Sequence, residues 1–197
     1  MPAKTRQITL ADLIPDAAFA AERKARRAAL MPVKKKRRVD LGPVCTFYFE
    51  SFETMLFQIQ EMLFIEKGGE AQARDELAAY NPLIPQGSEL VATVMLEIED
   101  PVRRAATLAR LGGIEDHFFL KVGDDRIAGI PEDDQERTRE DGKTSAVHFL
   151  HFPLTPAQKA AFNSPAVQVL IGCEHESYGH MAALTPATRA ELANDFA

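Results

Sequence analysis

"PVCTFYFESFETMLFQIQEMLFIEKGG", residues 43–69, changes its period in the middle, and that change decides the fold class. Up to Glu50 the apolar residues alternate between two faces and are rich in β formers, which predicts a strand over 43–50. From Ser51 onward, Phe52, Met55, Leu56, Ile59, Met62 and Leu63 recur at steps of three and four, the stripe of an amphipathic helix. The glycines at 68 and 69 supply its stop. A strand that hands over directly to a long helix calls for a sheet with helices packed on it.

Upstream, Thr9 and Asp16 read as N-caps of a short helix over 10–14 and a longer one over 17–30. Pro32 cannot continue a helix without loss of a hydrogen bond, so 32–38 reads as a kinked continuation or a separate turn, ended by Asp40 and Gly42. Downstream, a helix from Glu70 to Ala79 leads through "YNPLIPQGSEL" to a strand at 89–99. Asp100 and Pro101 open a helix that ends at Gly112 and Gly113, and "HFFLKVGDDRIAGI" reads as a hairpin turning at "GDD". "FPLTPAQKAAF" at 152–162 and "AALTPATRAEL" at 182–192 are a near repeat in which a strand passes to a helix capped by threonine and opened by proline.

The pattern predicts one α+β domain on a largely antiparallel mixed sheet of about six to seven short strands, with an N-terminal helical segment and helices packed on the sheet. Its parts are a basic helical segment at 10–38, strands and helices at 43–131, an acidic loop at 131–144, and a strand–helix C-terminal part at 145–197.

Composition agrees. A chain of 197 residues, 46% hydrophobic and 26% charged, can bury a core without metal or disulfide. Cys45 and Cys173 form no C-x-x-C pair and the first residues form no apolar leader, so a reducing cytoplasm is the expected setting. "LVATVMLEI" at 90–98 is too short to span a bilayer as a helix.

Charge is distributed unevenly. Residues 23–38 carry nine Lys and Arg and no acid, so the remainder of the chain holds −15 against an overall −6. Lys34, Lys35, Lys36, Arg37 and Arg38 are therefore the candidate contact for an acidic partner or another anion. Nucleic acid is the less favoured anion, because the acidic remainder repels it. The opposing reading is that these cations solvate a helix end and pair with the domain's own carboxylates. Phe57 and Phe64 lie off the main stripe of the strong helix, which makes them either internal packing or the apolar part of a partner surface.

"CEHESYGH" brings Cys173, His175 and His180 within eight residues, and the C-x-H step on a strand points both side chains to one side. Thiolate with imidazole suits zinc or iron, although the spacing matches no standard module; otherwise no cofactor is expected. His148 and His151, three apart on a strand, face opposite sides. "DGKT" at 141–144 fails as a phosphate loop, since Arg137 stands where the first glycine should be. No dinucleotide fingerprint, H-E-x-x-H or G-x-S-x-G occurs, so the sequence offers no enzyme signature and no catalytic residues are assigned.

"ITLADLIP", "RRAALMPVKKKRRVDLGP", "FQIQEML", "ELAAYNPLIP", "FPLTPAQKAAF" and "HESYGH", in that order, resemble the bacterial DUF3501 family, a domain of unknown function. The resemblance covers nearly the whole chain and assigns no activity or catalytic residues. It implies an accessory role beside rubrerythrin-like and iron–sulfur proteins of a redox or oxidative-stress system, because similar chains are encoded next to them. Three readings thus compete: an accessory protein that docks on an acidic or redox partner, a metal-binding redox or sensor protein, and a nucleic-acid binder through 23–38. Homo-oligomerisation is compatible with each.

Overall fold

The switch at Ser51 forms as the period change predicts. Strand β2 (Cys45–Phe49) ends two residues before helix α2 (Phe52–Glu66). Ser51 Oγ accepts from the Thr54 amide at 3.3 Å while Thr54 Oγ1 accepts from the Ser51 amide at 2.8 Å. This reciprocal cap satisfies donors that the first helical turn leaves unpaired. At the other end the left-handed residue is Lys67, with φ 60°, and helix α3 (Gly69–Tyr80) begins just beyond.

The computed structural model describes residues 6–132 and 142–196, and the acidic stretch 133–141 lies outside them. The described residues form six α-helices and nine strands. Besides those named, they are α1 (Asp16–Lys36), β1 (Arg38–Leu41), β3 (Glu89–Leu96), α4 (Pro101–Arg110), β4 (Phe118–Val122), β5 (Asp125–Ala128) and β6 (Ile130–Pro131). β7 (Val147–Pro153), α5 (Pro156–Asn163), β8 (Val169–His175), β9 (Tyr178–Ala183) and α6 (Pro186–Leu192) complete the order. Thr155 and Thr185 cap α5 and α6, each followed by proline, so both copies of the near repeat fold alike. No helix among the described residues is long and apolar enough to cross a membrane.

The fold is α+β and every strand pairing is antiparallel, but the strands divide between two sheets, β1-β2-β3-β7-β6 and β5-β4-β8-β9. The division happens at Gly129. This residue separates β5 in one sheet from β6 in the other, and its amide donates to the Phe118 carbonyl at 2.9 Å. A Cβ there would come 3.0 Å from the Phe152 ring and 3.3 Å from the Phe118 carbonyl, so a larger residue at this corner would require the ring to give by a few tenths of an ångström.

The two inner faces share one core, in which Phe47 meets Phe118 edge-on at 5.4 Å between ring centres, with Phe49 and Phe152 beside them. Leu108, Phe162 and Leu192 bring α4, α5 and α6 into the same core. The outer face of the first sheet is covered by a second cluster, in which Val91 meets Met55, Ile59 and Leu63 of α2 and Ala73 of α3. The N-terminal segment lies over this layer because two side-chain amides bind its backbone as a strand neighbour would. Asn81 pairs with both the amide and the carbonyl of Ile8, and Gln60 with those of Ile14.

Opposite the Gly129 corner, the two sheets are joined by a side chain. Tyr178 on β9 is buried, donates its hydroxyl to the Leu41 carbonyl at 2.5 Å and accepts from the Cys45 amide at 3.2 Å. Burial pushes its phenol up to about 12, so it stays a donor. Gly42, at φ +70°, makes the approach possible: a Cβ there would sit 2.7 Å from the His180 ring.

Around the basic run the structure differs from the expected break. α1 runs unbroken through Pro32 to Lys36, and Arg38 opens a strand that the sequence pattern did not reveal. Pro32 is tolerated because the bond it forfeits is to the carbonyl of Ala28, an exposed residue on the solvent side of the helix. Asp16 is the first helical residue of α1, with Pro15 at its cap position. Replacing Tyr178 with Phe leaves the Leu41 carbonyl and Cys45 amide without their partner. A loss of about 1–3 kcal/mol in unfolding free energy is expected, measured by urea denaturation.

Candidate functional site

The five consecutive cations do not act as one patch, because α1 ends within them and the chain reverses into β1. Arg37 is drawn into the protein and is 2% exposed. Its Nη2 lies 2.5 and 2.6 Å from the two carboxylate oxygens of Asp195 and donates to the Glu50 carbonyl at 3.2 Å. Lys36 reaches Glu191 at 3.7 Å, and Arg38 pairs with Asp40 at 2.8 Å while its guanidinium lies over the Tyr48 ring. Farther up the helix, Arg23 makes a two-pronged pair with Glu61 at 2.7 Å and Arg26 pairs with Glu22. Lys24, Lys34 and Lys35 are exposed and have no carboxylate partner among the described residues. Inward pairing and outward display therefore coexist, divided by helix face.

The buried pair anchors a wider polar network. Glu50, itself buried, accepts from the hydroxyls of Thr93 at 2.7 Å and Thr54 at 2.6 Å. Arg6 donates to the carbonyls of Pro85 and Asp195 at 2.6 and 3.1 Å. Burial pushes the Asp195 carboxyl up to about 7 against the opposing pull of Arg37, and Glu53 acts in the same direction as burial. Asp195, Arg6, Glu50 and Thr93 are site residues that sequence reasoning missed. No local motif could have found them, since Arg37 and Asp195 stand 158 positions apart.

Beside this network, α1 roofs a cavity of about 660 Å³ whose far wall is the first half of α2 and whose inner end is Arg37 and Asp195. α1 is held over it at one end by Phe19, which sits against Phe57 and Phe64 at 5.9 and 5.7 Å between ring centres. Both rings are half-buried. Phe64 is further flanked by Arg23 and by Lys67, whose Nζ lies 3.9 Å from the ring centre, and Phe57 lines the cavity. The two aromatics off the main stripe thus serve internal packing of α1.

Cys173, His175 and His180 do share a face, and the register sets His180 directly across from Cys173. Yet the ring nitrogens of His175 are both engaged, Nδ1 accepting from the Ser177 amide at 3.1 Å and Nε2 facing the Gly112 carbonyl at 3.2 Å. His180 packs against the Tyr178 ring at 4.4 Å. Cys173 and Cys45 are both free and buried in the inter-sheet core; burial pushes the Cys173 thiol up to about 11 and the Cys45 thiol higher still. Among the described residues no three His, Cys, Asp or Glu side chains gather in a way that could hold a metal.

His148 and His151 face opposite sides of β7, as their spacing predicts. His148 is fully buried, with Nε2 at 2.9 Å from the Ser145 carbonyl. His151 lies between two carboxylates, Nδ1 at 2.9 Å from Glu89 and Nε2 at 2.6 Å from Glu132. Burial disfavours its charge, but the two carboxylates outweigh burial and raise its pKa above the ordinary 6.5; for Glu89 burial is the largest influence and acts upward, but the bond to and charge of His151, with the Gln86 amide and Arg6, together bring it below 4.5.

Two antiparallel sheets closed by helices, with one helix standing over a cavity, define this protein as a two-sheet α+β domain. The chain belongs to the family described as Protein of unknown function (DUF3501), whose model matches residues 7–196. A crystal structure of a novel protein of unknown function from Burkholderia pseudomallei K96243 is similar over 97% of this chain and 100% of that one, at 41% identity and a TM-score of 0.89. No curated protein matches the chain.

Substituting Asp195 with Ala strands the buried guanidinium of Arg37 and is expected to cost about 3–5 kcal/mol in chemical denaturation. An Arg37→Met/Asp195→Leu pair, which removes both charges, is expected to recover more than half of that loss. The His151 clamp gives a pH signature. Its raised pKa stabilises the fold fully below about 6.5 and loses that effect as pH rises through the folded value. The depressed Glu89 contributes fully above about 4.5 and is lost as pH falls. Melting curves from pH 5 to 9, roughly the range of histidine titration, should show wild-type stability declining above the ordinary histidine value. His151→Gln should show a shallower decline.

Proposed function

We propose that this protein is a non-catalytic accessory protein that docks on an acidic protein surface through the outward face of α1. One observation carries the reading: along α1 the inward cations are neutralised by the domain's own carboxylates, while Lys24, Lys34 and Lys35 are displayed without any partner among the described residues. At helical spacing these three, with Arg27 and the exposed Met31, fall within an arc of roughly 100°. A domain of net charge −6 repels acidic partners at long range, but beyond about 8–10 Å that field is screened at cellular salt and the local patch governs contact. Arg37 and Lys36 serve the patch by fixing the end of the helix, and Phe57 and Phe64 serve it by seating Phe19. Arg38 flanks it beside Tyr48.

The partner class to test first is an iron–sulfur or rubrerythrin-like protein, the class that the family resemblance implies. Anisotropy titration against such a partner is expected to show binding at about 50 mM salt that weakens steeply by about 300 mM. Lys34→Glu/Lys35→Glu should weaken it by roughly tenfold or more with the fold unchanged. Absence of a complex at low salt would sink the reading, and tighter binding of a DNA duplex would transfer the patch to nucleic acid.

A further inference from the structure

The cavity beneath α1 is a feature that docking by the opposite face does not use. Phe19, Leu30 and Val33 of α1 face Phe52, Leu56 and Phe57 of α2 across it, and its volume of about 660 Å³ falls within the range of about 300–1,000 Å³ usual for small-molecule sites. The charged side chains along its walls decide what kind of molecule fits. Four carboxylates, Asp12, Glu53, Glu191 and Asp195, stand against three guanidinium groups, Arg6, Arg26 and Arg37, an excess of one negative charge. The partners just outside the lining, Glu22 for Arg26 and Lys36 for Glu191, cancel each other and leave that excess unchanged.

The hydrogen-bonding groups lean the same way. Arg6 donates to the Pro85 and Asp195 carbonyls, Arg26 to Glu22, and Arg37 to Asp195 and the Glu50 carbonyl, while the Gln60 amide is spent on Ile14. The carboxylates keep acceptor capacity. Asp12 and Glu53 each accept through one oxygen only, from Thr9 and from the Ser51 hydroxyl. The Glu191 side chain, 18% exposed, accepts no hydrogen bond among the described residues, and Lys36 stands 3.7 Å from it with half of its own side chain in solvent. A carboxylate largely withdrawn from water gains most from a donor that also carries positive charge. Glu53 lies close enough to Asp195 to act on its carboxyl, and Glu191 precedes Asp195 by four residues, so both stand at the Arg37 end of the cavity. The first turn of α2 would by itself favour an anion there, but the Ser51 cap and the charge of Glu53 already answer it.

We propose that the cavity binds a small monocationic amphiphile, a primary ammonium on an apolar body, with the ammonium at Glu191 and Glu53 and the body between α1 and α2. Ala29, exposed on α1 at the rim of the cavity, marks the way in. The site is separate from the lysines of the outward face.

Fluorescence titration with dansylcadaverine, a dansyl group on an aminopentyl chain, tests this at about 50 mM salt, where screening is modest. Two analogues of equal chain length accompany it, one ending in a methyl group and one in a carboxylate. Saturable binding of one dansylcadaverine per chain is expected, with blue-shifted emission and a Kd below about 100 µM, and the carboxylate analogue should bind at least about tenfold more weakly. Glu53→Gln/Glu191→Gln keeps shape and acceptors while removing both charges; it should weaken dansylcadaverine by roughly fivefold and leave the methyl analogue unchanged. Ala29→Trp, which obstructs the rim without touching the core, should weaken both by at least about tenfold, whereas Val102→Trp at a remote exposed position should weaken neither, circular dichroism confirming the fold of each variant. Lys34→Glu/Lys35→Glu should leave dansylcadaverine bound, so failure of the docking reading and failure of this one are distinguishable. Non-saturable binding, or saturable binding that survives Ala29→Trp, would overturn the site. A carboxylate analogue that binds as tightly as the ammonium, or a double glutamine variant that binds dansylcadaverine as the wild type does, would overturn the cationic class.

Discussion

The ion pair between Arg37 and Asp195 is the interaction on which the arrangement of this protein turns. It joins the end of the N-terminal helix to the last turn of the chain, and it does so in a place almost without solvent. Two charges taken out of water are tolerable only when each satisfies the other and the remaining hydrogen-bonding groups are met. The Glu50 carbonyl accepts from Arg37 and Arg6 donates to the Asp195 carbonyl, while Thr54 and Thr93 satisfy the buried Glu50 carboxylate; these residues come from the β2–α2 junction, the N-terminal segment, α2 and β3. The pair thereby holds α1 at its far end, as the Phe19 seat holds it at the near end. Between the two anchorages α1 covers a cavity in place of packing flush.

That geometry explains how one run of cations takes on two roles. A helix turns 100° per residue, so neighbours in sequence face different surroundings. Arg37 enters the interior, Lys36 leans to Glu191, and Lys34 and Lys35 face solvent. Arg38 lies past the helix end, on a strand where side chains alternate, and finds Asp40 and Tyr48 there. The exposed cations left without an ion pair among the described residues, Lys24, Lys34 and Lys35 with Arg27, make a much smaller patch than the composition of the segment suggests.

Much of the fold was legible because its signals are local. The period change at Ser51, the threonine–proline starts of α5 and α6, the Asp100 cap of α4 and the "GDD" turn each depend on residues within a few positions, and each folds as read. Strand β1 escaped notice because its four residues, two of them charged, carry too short an alternation to stand out beside a basic run. The division into two sheets escaped because a corner is made by one glycine whose tight fit appears only when Phe152 and Phe118 are placed against it. Cys173 and His175 share a side of β8 as their C-x-H step predicts, and the register with β9 adds His180 across from Cys173. What sequence could not convey was that Ser177 and Gly112 engage both nitrogens of His175.

By itself the sequence determined the class of fold, the capped helix starts and the charge asymmetry, because each of these is written in composition or in short-range spacing. The tertiary structure alone decided which cations are spent inside the domain and which are shown outside. It also decided where the cavity lies and which buried groups line it. The physical reason is separation along the chain: Arg37 meets Asp195 across 158 residues and Tyr178 meets Leu41 across 137. Pairings of that span depend on how sheets and helices stack, and no local pattern in the sequence encodes them.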